Sequence, residues 1–139
     1  MSVQLAFHFN INDPKAKKTT AIVVNTPDNY VSHSFLQIPI YDNNNNEIGY
    51  KVTDDYVQLL DANEYLVRIN STYVIDGQGT ISWQYSFVNN TPSFLYPVGI
   101  LASSNITATT GNYLGKTGAV SLYPNADGSR DVLIGFNYN

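Results

Sequence analysis

The sequence predicts an all-β protein, and three observations support this fold class. Apolar and polar residues alternate through most of the chain, short clusters of turn-forming residues interrupt the alternation, and 139 residues suffice for one domain only. A period of two places one set of side chains in a core and the other set outside it, as in a β-strand. We therefore expect a single domain over residues 1–139, built from about eight or nine strands.

The alternation defines the strands one by one. Between Val3 and Ile11 the odd positions are apolar, whereas the even positions are Gln4, Ala6, His8 and Asn10. Residues 65–75, 80–88 and 131–138 alternate in the same way, and Trp83 shares one predicted face with Ile81, Tyr85 and Phe87. A helix is conceivable only over residues 53–63, but their apolar positions form no helical face, so we predict a strand there too.

Turn-forming residues separate these strands at short intervals. Gly, Asn and Asp tolerate positive φ, and Pro fixes φ, so their clusters mark turns. The clusters occupy residues 12–14, 25–29, 43–46, 61–63, 76–79, 89–92 and 125–128. This spacing is typical of β-sandwiches and β-barrels, and the pattern alone does not choose between them.

Charge and cysteine content narrow the function classes. Charged residues make up 13% of the chain and the formal net charge is −4, so a basic surface for nucleic acid is not expected. The chain has no Cys, which excludes disulfides and thiolate chemistry. Its first residues alternate instead of forming the apolar block of a signal peptide, and no segment predicts a membrane span. We expect a soluble protein made without export, in the cytoplasm or in a virion.

Two motifs resemble a known barrel family. Residues 76–81 read Asp-Gly-Gln-Gly-Thr-Ile, and residues 106–120 contain Gly111, Gly115 and Gly118 around Tyr113. Together they resemble the "DGxGTI" hairpin and the "ITGGTGxYxGAxGxV" segment of the allene oxide cyclase barrel family, a calycin-type fold related to the dirigent proteins and spirocyclases. The family's Gly-Gly pair is replaced by Ala108-Thr109 here. We expect the three glycines to form a structural loop, because a tight turn needs residues without Cβ.

The resemblance implies a single eight-stranded antiparallel β-barrel, often trimeric, with a ligand cavity in its mouth. The positions that it implies for the cavity are His8, Asn10, Asn12, Ile38 and Val57. The resemblance to plant allene oxide cyclases implies a Glu-x-Asn pair on the first strand. In this chain Asn10 stands at the Glu position and Asn12 at the Asn position. The family's cavity Asn and Cys fall near Ile38 and Val57, and the Asp pair of dirigent proteins falls on Gln37 and Ile38.

These replacements remove the acid–base groups of the family, because an amide cannot act as a carboxylate base. We therefore expect no catalytic residue among them. The orientation of the first strand stays open at this point. The resemblance turns Asn10 inward, whereas burial of apolar side chains turns the odd-numbered residues inward and leaves Asn10 outside.

Other catalytic chemistries lack their residues. His8 and His33 lie on separate strands, and no cluster has the spacing of metal ligands, so neither a metal nor another cofactor is expected. Ser32, His33 and Ser34 are neighbours whose side chains alternate between faces, which does not favour a serine hydrolase. Asp54 and Asp55 also point to opposite faces, and we expect them at a solvated turn or strand end.

Two function classes remain. The first is a non-catalytic, self-associating barrel with a structural or surface role, for example as a component of a virion. The absence of the family's catalytic residues and the low content of charged residues favour this class. We expect such a protein to form a homotrimer, because apolar faces that a barrel cannot enclose favour closed oligomers. The alternative is a barrel that binds a small hydrophobic ligand and steers its cyclisation or isomerisation by confinement.

Overall fold

The computed structural model describes residues 3–61 and 63–137, which form nine strands and one turn of 3-10 helix. The strands are β1 (Val3–Asn10), β2 (Lys17–Thr26), β3 (Asn29–Tyr41), β4 (Glu47–Asp61), β5 (Glu64–Ile75), β6 (Gly79–Asn89), β7 (Ala102–Thr109), β8 (Gly118–Pro124) and β9 (Ser129–Phe136). The 3-10 turn spans Gly111–Tyr113, between β7 and β8. The prediction of an all-β chain is confirmed. Of the predicted strand over residues 53–63, residues 53–61 belong to β4, residue 63 lies in the following turn, and residue 62 is outside the described residues. No helix within the described ranges is long and apolar enough to cross a membrane.

Eight of the strands close into an antiparallel barrel. Neighbouring strands follow the order β1-β9-β8-β7-β6-β5-β4-β3, and β1 meets β3 where His8 lies opposite Tyr41. β1 pairs with β9 along its whole length, from Val3 opposite Phe136 to Asn10 opposite Ser129. The expected eight-stranded barrel is therefore confirmed. β2 lies outside it, paired with the first part of β3, and is exposed along almost its whole length.

Apolar side chains from every side of the barrel fill most of its interior. Trp83 is 1% exposed, as its position on the apolar face of β6 predicted, and its indole Nε1 donates a 3.1 Å hydrogen bond to the Tyr73 hydroxyl. The Phe7 ring packs edge-on against Tyr73 at 4.8 Å between centroids. An eight-stranded barrel is only just wide enough for its inward side chains to fill it. The buried apolar side chains therefore form one contiguous core.

Close backbone contact explains why two of the three motif glycines lack a side chain. A Cβ on Gly118 would lie 1.9 Å from the Gly135 carbonyl oxygen, and a Cβ on Gly111 would lie 2.5 Å from the Gln78 carbonyl oxygen. A Cβ on Gly115 would meet nothing within 4 Å, although its φ of +80° still favours Gly. These contacts connect the loop around the 3-10 turn to the β5–β6 hairpin and to β9.

We expect alanine substitutions to separate the two kinds of glycine. Gly118→Ala should destabilise the fold by at least about 2 kcal/mol, because the backbone must move to admit the Cβ. Gly115→Ala should cost only about 1 kcal/mol, the penalty of a left-handed conformation. Urea unfolding of both variants measures the difference. Equal losses of stability would contradict a role of backbone contact at Gly118.

Candidate functional site

The central part of β4 carries polar side chains into the apolar barrel. Lys51, Thr53 and Asp55 occupy every second position of the strand, so they point to the same face. Each of the three is only 3% exposed. Burial of a charged group is unfavourable unless the group is paired with an opposite charge or hydrogen-bonded. A protein that retains such a group without a partner has a functional reason to do so. This row of side chains is therefore the first candidate for a functional site.

β9 and the connection between β6 and β7 add two more polar residues. Arg130 at the start of β9 is 2% exposed, and its Nη1 donates hydrogen bonds of 3.2 Å to the carbonyl oxygens of Asn125 and Ser129. Tyr96 belongs to the connection formed by residues 90–101 and is also buried. Its ring packs on Tyr85 and Phe87. The connection thus folds back onto the barrel and brings Tyr96 to the polar row.

These groups surround one cavity at the end of the barrel. Its lining residues are Phe9, Ile11, Leu36, Ile38, Lys51, Thr53, Asp55, Ile69, Phe94, Leu95, Tyr96 and Arg130. The free volume is about 20 Å³, which is enough for one water molecule. The side chains of residues 94–96 form part of its wall. We refer to this space with its lining as the barrel cavity.

Lys51 is held in the barrel cavity by aromatic rings. Its Nζ lies 4.4 Å from the ring centroid of Phe9 and 5.5 Å from that of Tyr96, and both rings present favourable faces to a cation. Among the described residues, no carboxylate oxygen lies within 4.0 Å of this nitrogen. Burial lowers the pKa of Lys51 to about 8, and repulsion from Arg130 lowers it as well. Attraction by Asp55 acts in the opposite direction and raises this pKa. Lys51 therefore titrates close to neutral pH.

Asp55 is shifted in the opposite direction. Burial raises its pKa to about 6, although the Thr53 hydroxyl donates a 2.5 Å hydrogen bond to Oδ1 and Lys51 attracts the negative charge. Between about pH 6 and pH 8 the barrel cavity thus holds an ionised carboxylate and a protonated amine. Groups with pKa values moved toward neutrality are suited to general acid–base catalysis.

Several buried polar atoms around the barrel cavity lack a hydrogen-bond partner. They are the Tyr96 hydroxyl, the Ser71 hydroxyl and Nε of Arg130. Ser71 lies close enough to Tyr96 to lower its pKa, but burial has the larger effect and raises that pKa well above its usual value. Neither hydroxyl has a partner of acceptable hydrogen-bond geometry. Unpaired buried polar atoms are unfavourable, and a bound molecule can satisfy them.

The structure brings one of the five residues implied by the resemblance into the barrel cavity. Ile38 lines it, and Val57 is buried further along β4 without lining it. His8 and Asn10 lie on the outer face of β1, where His8 stacks on Tyr41. Asn12 is exposed in the following turn, and its backbone N–H donates to the Asn10 side chain at 2.8 Å. The inward positions of β1 are Phe7 and Phe9, because burial of an aromatic ring is far more favourable than burial of an amide.

The expectation that Asp54 and Asp55 lie at a solvated turn or strand end is wrong. Both lie in the middle of β4, and they point to opposite faces as predicted. Asp54 is on the outer face, 3.6 Å from Nε2 of His33, whereas Asp55 is buried. The signal that could have found Asp55 was its spacing from Val57, which shares its face. Within residues 3–61 and 63–137 no cluster of His, Asp or Glu could hold a metal ion.

Comparisons with known proteins identify the fold. No protein-family model matches the chain, and no curated protein matches it in sequence. Two of the similar solved structures match over almost their whole length. Pyocyanin demethylase is 12% identical with a TM-score of 0.61, and covers 97% of this chain and 100% of its own. AbnU, described as an exo-specific intermolecular Diels-Alderase, is 10% identical with a TM-score of 0.50, over 96% and 98% of the two chains. At such identities the similarity shows a shared barrel fold.

We expect Lys51→Met to stabilise the protein. The folded state favours the neutral amine, so burial of the Lys51 charge lowers the free energy of unfolding. This loss of stability is fully present below about pH 8. It disappears toward pH 10.5, where the lysine is neutral in the folded and the unfolded state. Asp55 can take up a proton once its cationic neighbour is gone. At pH 7 the variant should therefore gain about 1–3 kcal/mol in free energy of unfolding.

Urea unfolding at several pH values measures this effect. The gain of Lys51→Met over the unsubstituted protein should shrink as the pH rises from 8 to 10.5. Lys17→Met on the exposed strand β2 is the matched control, and it should leave stability nearly unchanged. A loss of stability in Lys51→Met at pH 7 would show that Lys51 supports the fold.

Proposed function

We propose that this protein is a barrel of the allene oxide cyclase-like type that binds an apolar small molecule and catalyses proton transfer on it. The reaction would be an isomerisation or cyclisation without a cofactor. The observation that carries the proposal is the barrel cavity, in which Lys51 and Asp55 are buried together with pKa values of about 8 and about 6. The enzyme names of both structural neighbours refer to reactions of small molecules, which supports the same function class.

The chemistry assigned to the two residues is a concerted exchange of protons. The Asp55 carboxylate takes a proton from an acidic carbon of the ligand, and the Lys51 ammonium gives a proton to the ligand's carbonyl oxygen. The ligand becomes an enol with no net change in its proton count. Asp55 then gives its proton to a different carbon while the neutral Lys51 amine takes back the enol O–H proton, which completes an isomerisation and restores both side chains. An apolar, water-poor surrounding strengthens such transfers because it leaves the two groups poorly solvated.

The buried charges also argue against a purely structural role. Replacing buried ionic groups by apolar residues of similar size often stabilises a protein. A barrel selected only as a building block would gain stability from apolar side chains at positions 51, 55 and 130. Active sites are the usual places where proteins retain unfavourable groups of this kind. The small-molecule alternative is therefore better supported than the structural role.

Ligand binding requires a movement of the β6–β7 connection. The free volume of about 20 Å³ admits a water molecule, and Phe94 and Tyr96 occupy the adjoining space. The connection lacks regular secondary structure over residues 90–101. Connections of this type open at lower free energy than the strands that they join. We propose that residues 94–96 swing outward to admit the ligand and then cover it.

The proposal is tested with the aryl-fused ketone 2-tetralone, whose acidic methylene protons exchange with solvent. In deuterated water, proton NMR should show that the protein accelerates this exchange. Asp55→Asn should reduce the acceleration by about 10²-fold or more, because an amide cannot take up the proton. Asp54→Asn, the matched control on the outer face of the same strand, should behave like the unsubstituted protein.

The pH profile provides a second readout of the same experiment. Exchange should rise with pH as Asp55 ionises near pH 6 and fall again as Lys51 loses its proton near pH 8. The result is a bell-shaped curve, and Lys51→Met should remove its descending limb. Equal exchange with the unsubstituted protein, Asp55→Asn and buffer would refute the proposed function.

We also propose self-association, with a homotrimer as the expected form. The outer face of β1, β8 and β9 exposes Leu133 and Tyr123 beside Leu101, and these residues line a shallow groove. A second copy would cover this apolar surface. Sedimentation equilibrium at micromolar concentration should give a mass above that of the monomer, and Leu133→Lys should lower it. A monomer mass for the unsubstituted protein would contradict the proposal.

A further inference from the structure

The charges of the barrel cavity do not balance, and this imbalance points to the kind of ligand. We propose that the ligand carries a carboxylate group, which Arg130 binds beside Lys51. The inference rests on the proposed function, because it concerns the ligand of the same cavity. It adds the chemical class, an apolar monocarboxylate.

Two cations and one anion face the barrel cavity. Lys51 and Arg130 are 3% and 2% exposed, and the buried carboxylate is Asp55. At neutral pH the sum of these charges is +1. Within the described residues neither cation has a carboxylate oxygen within 4.0 Å. Asp127 attracts Arg130 from an exposed position, but its Oδ1 accepts hydrogen bonds from the backbone and side chain of Ser129.

An uncompensated buried cation is unfavourable, and an anionic group of the ligand would neutralise it. The residues that line the cavity also have the donors that a carboxylate needs. Nη1 of Arg130 is used by two carbonyl oxygens, whereas its Nε is buried without a partner. The hydroxyl of Tyr96 is likewise buried and unpaired. Lys51 faces the rings of Phe9 and Tyr96 with its Nζ.

Asp55 does not take the place of such an anion. Thr53 donates a hydrogen bond to its Oδ1, and the Asp55 carboxylate still leaves one positive charge in excess. Hydrogen bonds between a guanidinium and a carboxylate are strong and directional. Arg130 is therefore the residue that would fix the position of the ligand's carboxylate, and Lys51 keeps a proton for a neighbouring carbonyl oxygen.

The remaining lining describes the body of the ligand. It is apolar and partly aromatic, with Phe9, Leu36, Ile38, Ile69 and Phe94 around the space. Such walls favour a flat or flexible hydrocarbon body and give no hydrogen bonds to polar substituents. A carboxylate at one end and an apolar body at the other match the two parts of the cavity.

Two probes of nearly equal shape test the inference. 2-Naphthoate and 2-naphthamide share the same ring system and differ in charge, and their dissociation constants are measured by calorimetry and by backbone NMR shifts. We expect naphthoate to bind at least about tenfold more tightly. Arg130→Met should abolish this preference, measured as the ratio of the two dissociation constants. Arg68→Met on the outer face, where Arg68 binds the Gln58 side chain, is the matched control and should retain the preference.

Arg130 also binds two backbone carbonyls, so Lys51→Met serves as a second variant if Arg130→Met does not fold. It should reduce the preference for naphthoate as well. Equal binding of both probes, with NMR shifts at the barrel cavity, would overturn the inference and leave the proposed function standing. Binding of neither probe would count against both. A preference for naphthoate that survives both Arg130→Met and Lys51→Met would place the anion elsewhere and overturn the inference.

Discussion

The width of an eight-stranded barrel is the constraint on which the rest of this structure depends. The interior has space for its inward side chains and little more. Once β1 meets β3 and the barrel closes, each inward position competes for the same volume. Apolar side chains occupy part of that volume, among them Phe9, Ile38 and Trp83. Charged side chains occupy another part, namely Lys51, Asp55 and Arg130. The chain thus gives up part of its core to groups that a water-poor interior does not stabilise by itself.

Chain geometry explains how charges come to lie in such a core. On β4, Lys51 points inward together with Val57, because the two positions differ by six and side chains on a strand alternate between faces. Arg130 shares a face with Val132 and Ile134 on β9 for the same reason. Both cations face the barrel cavity, and Arg130 lies close enough to Lys51 for repulsion to lower the pKa of Lys51.

Local patterns in the sequence were sufficient for the fold but not for the site. Strict alternation predicted the strands and the burial of Trp83, because side-chain direction depends only on neighbouring residues. The same rule would have placed Lys51 and Asp55 inward, but a charged residue in an alternating pattern is normally taken to mark the outer face. Tyr96 was beyond such rules, because its position depends on how an irregular connection folds back onto the barrel. For β1, the resemblance suggested Asn10 as a cavity residue, whereas burial of Phe7 and Phe9 fixes the opposite face.

The position of β2 at the edge of the sheet affects both aggregation and the tolerance of the chain to inserted sequence. As the last strand of the sheet, it has one edge of backbone N–H and C=O groups that no other described strand covers. Such an edge can recruit further strands into aggregates, and lysines oppose this because they repel one another and need water. Lys17 and Lys18 stand at its start, while Ile22 and Val23 are exposed further along. No residue of β2 lines the barrel cavity. The tip of the β2–β3 hairpin, around Pro27, should therefore tolerate a tag or an inserted peptide.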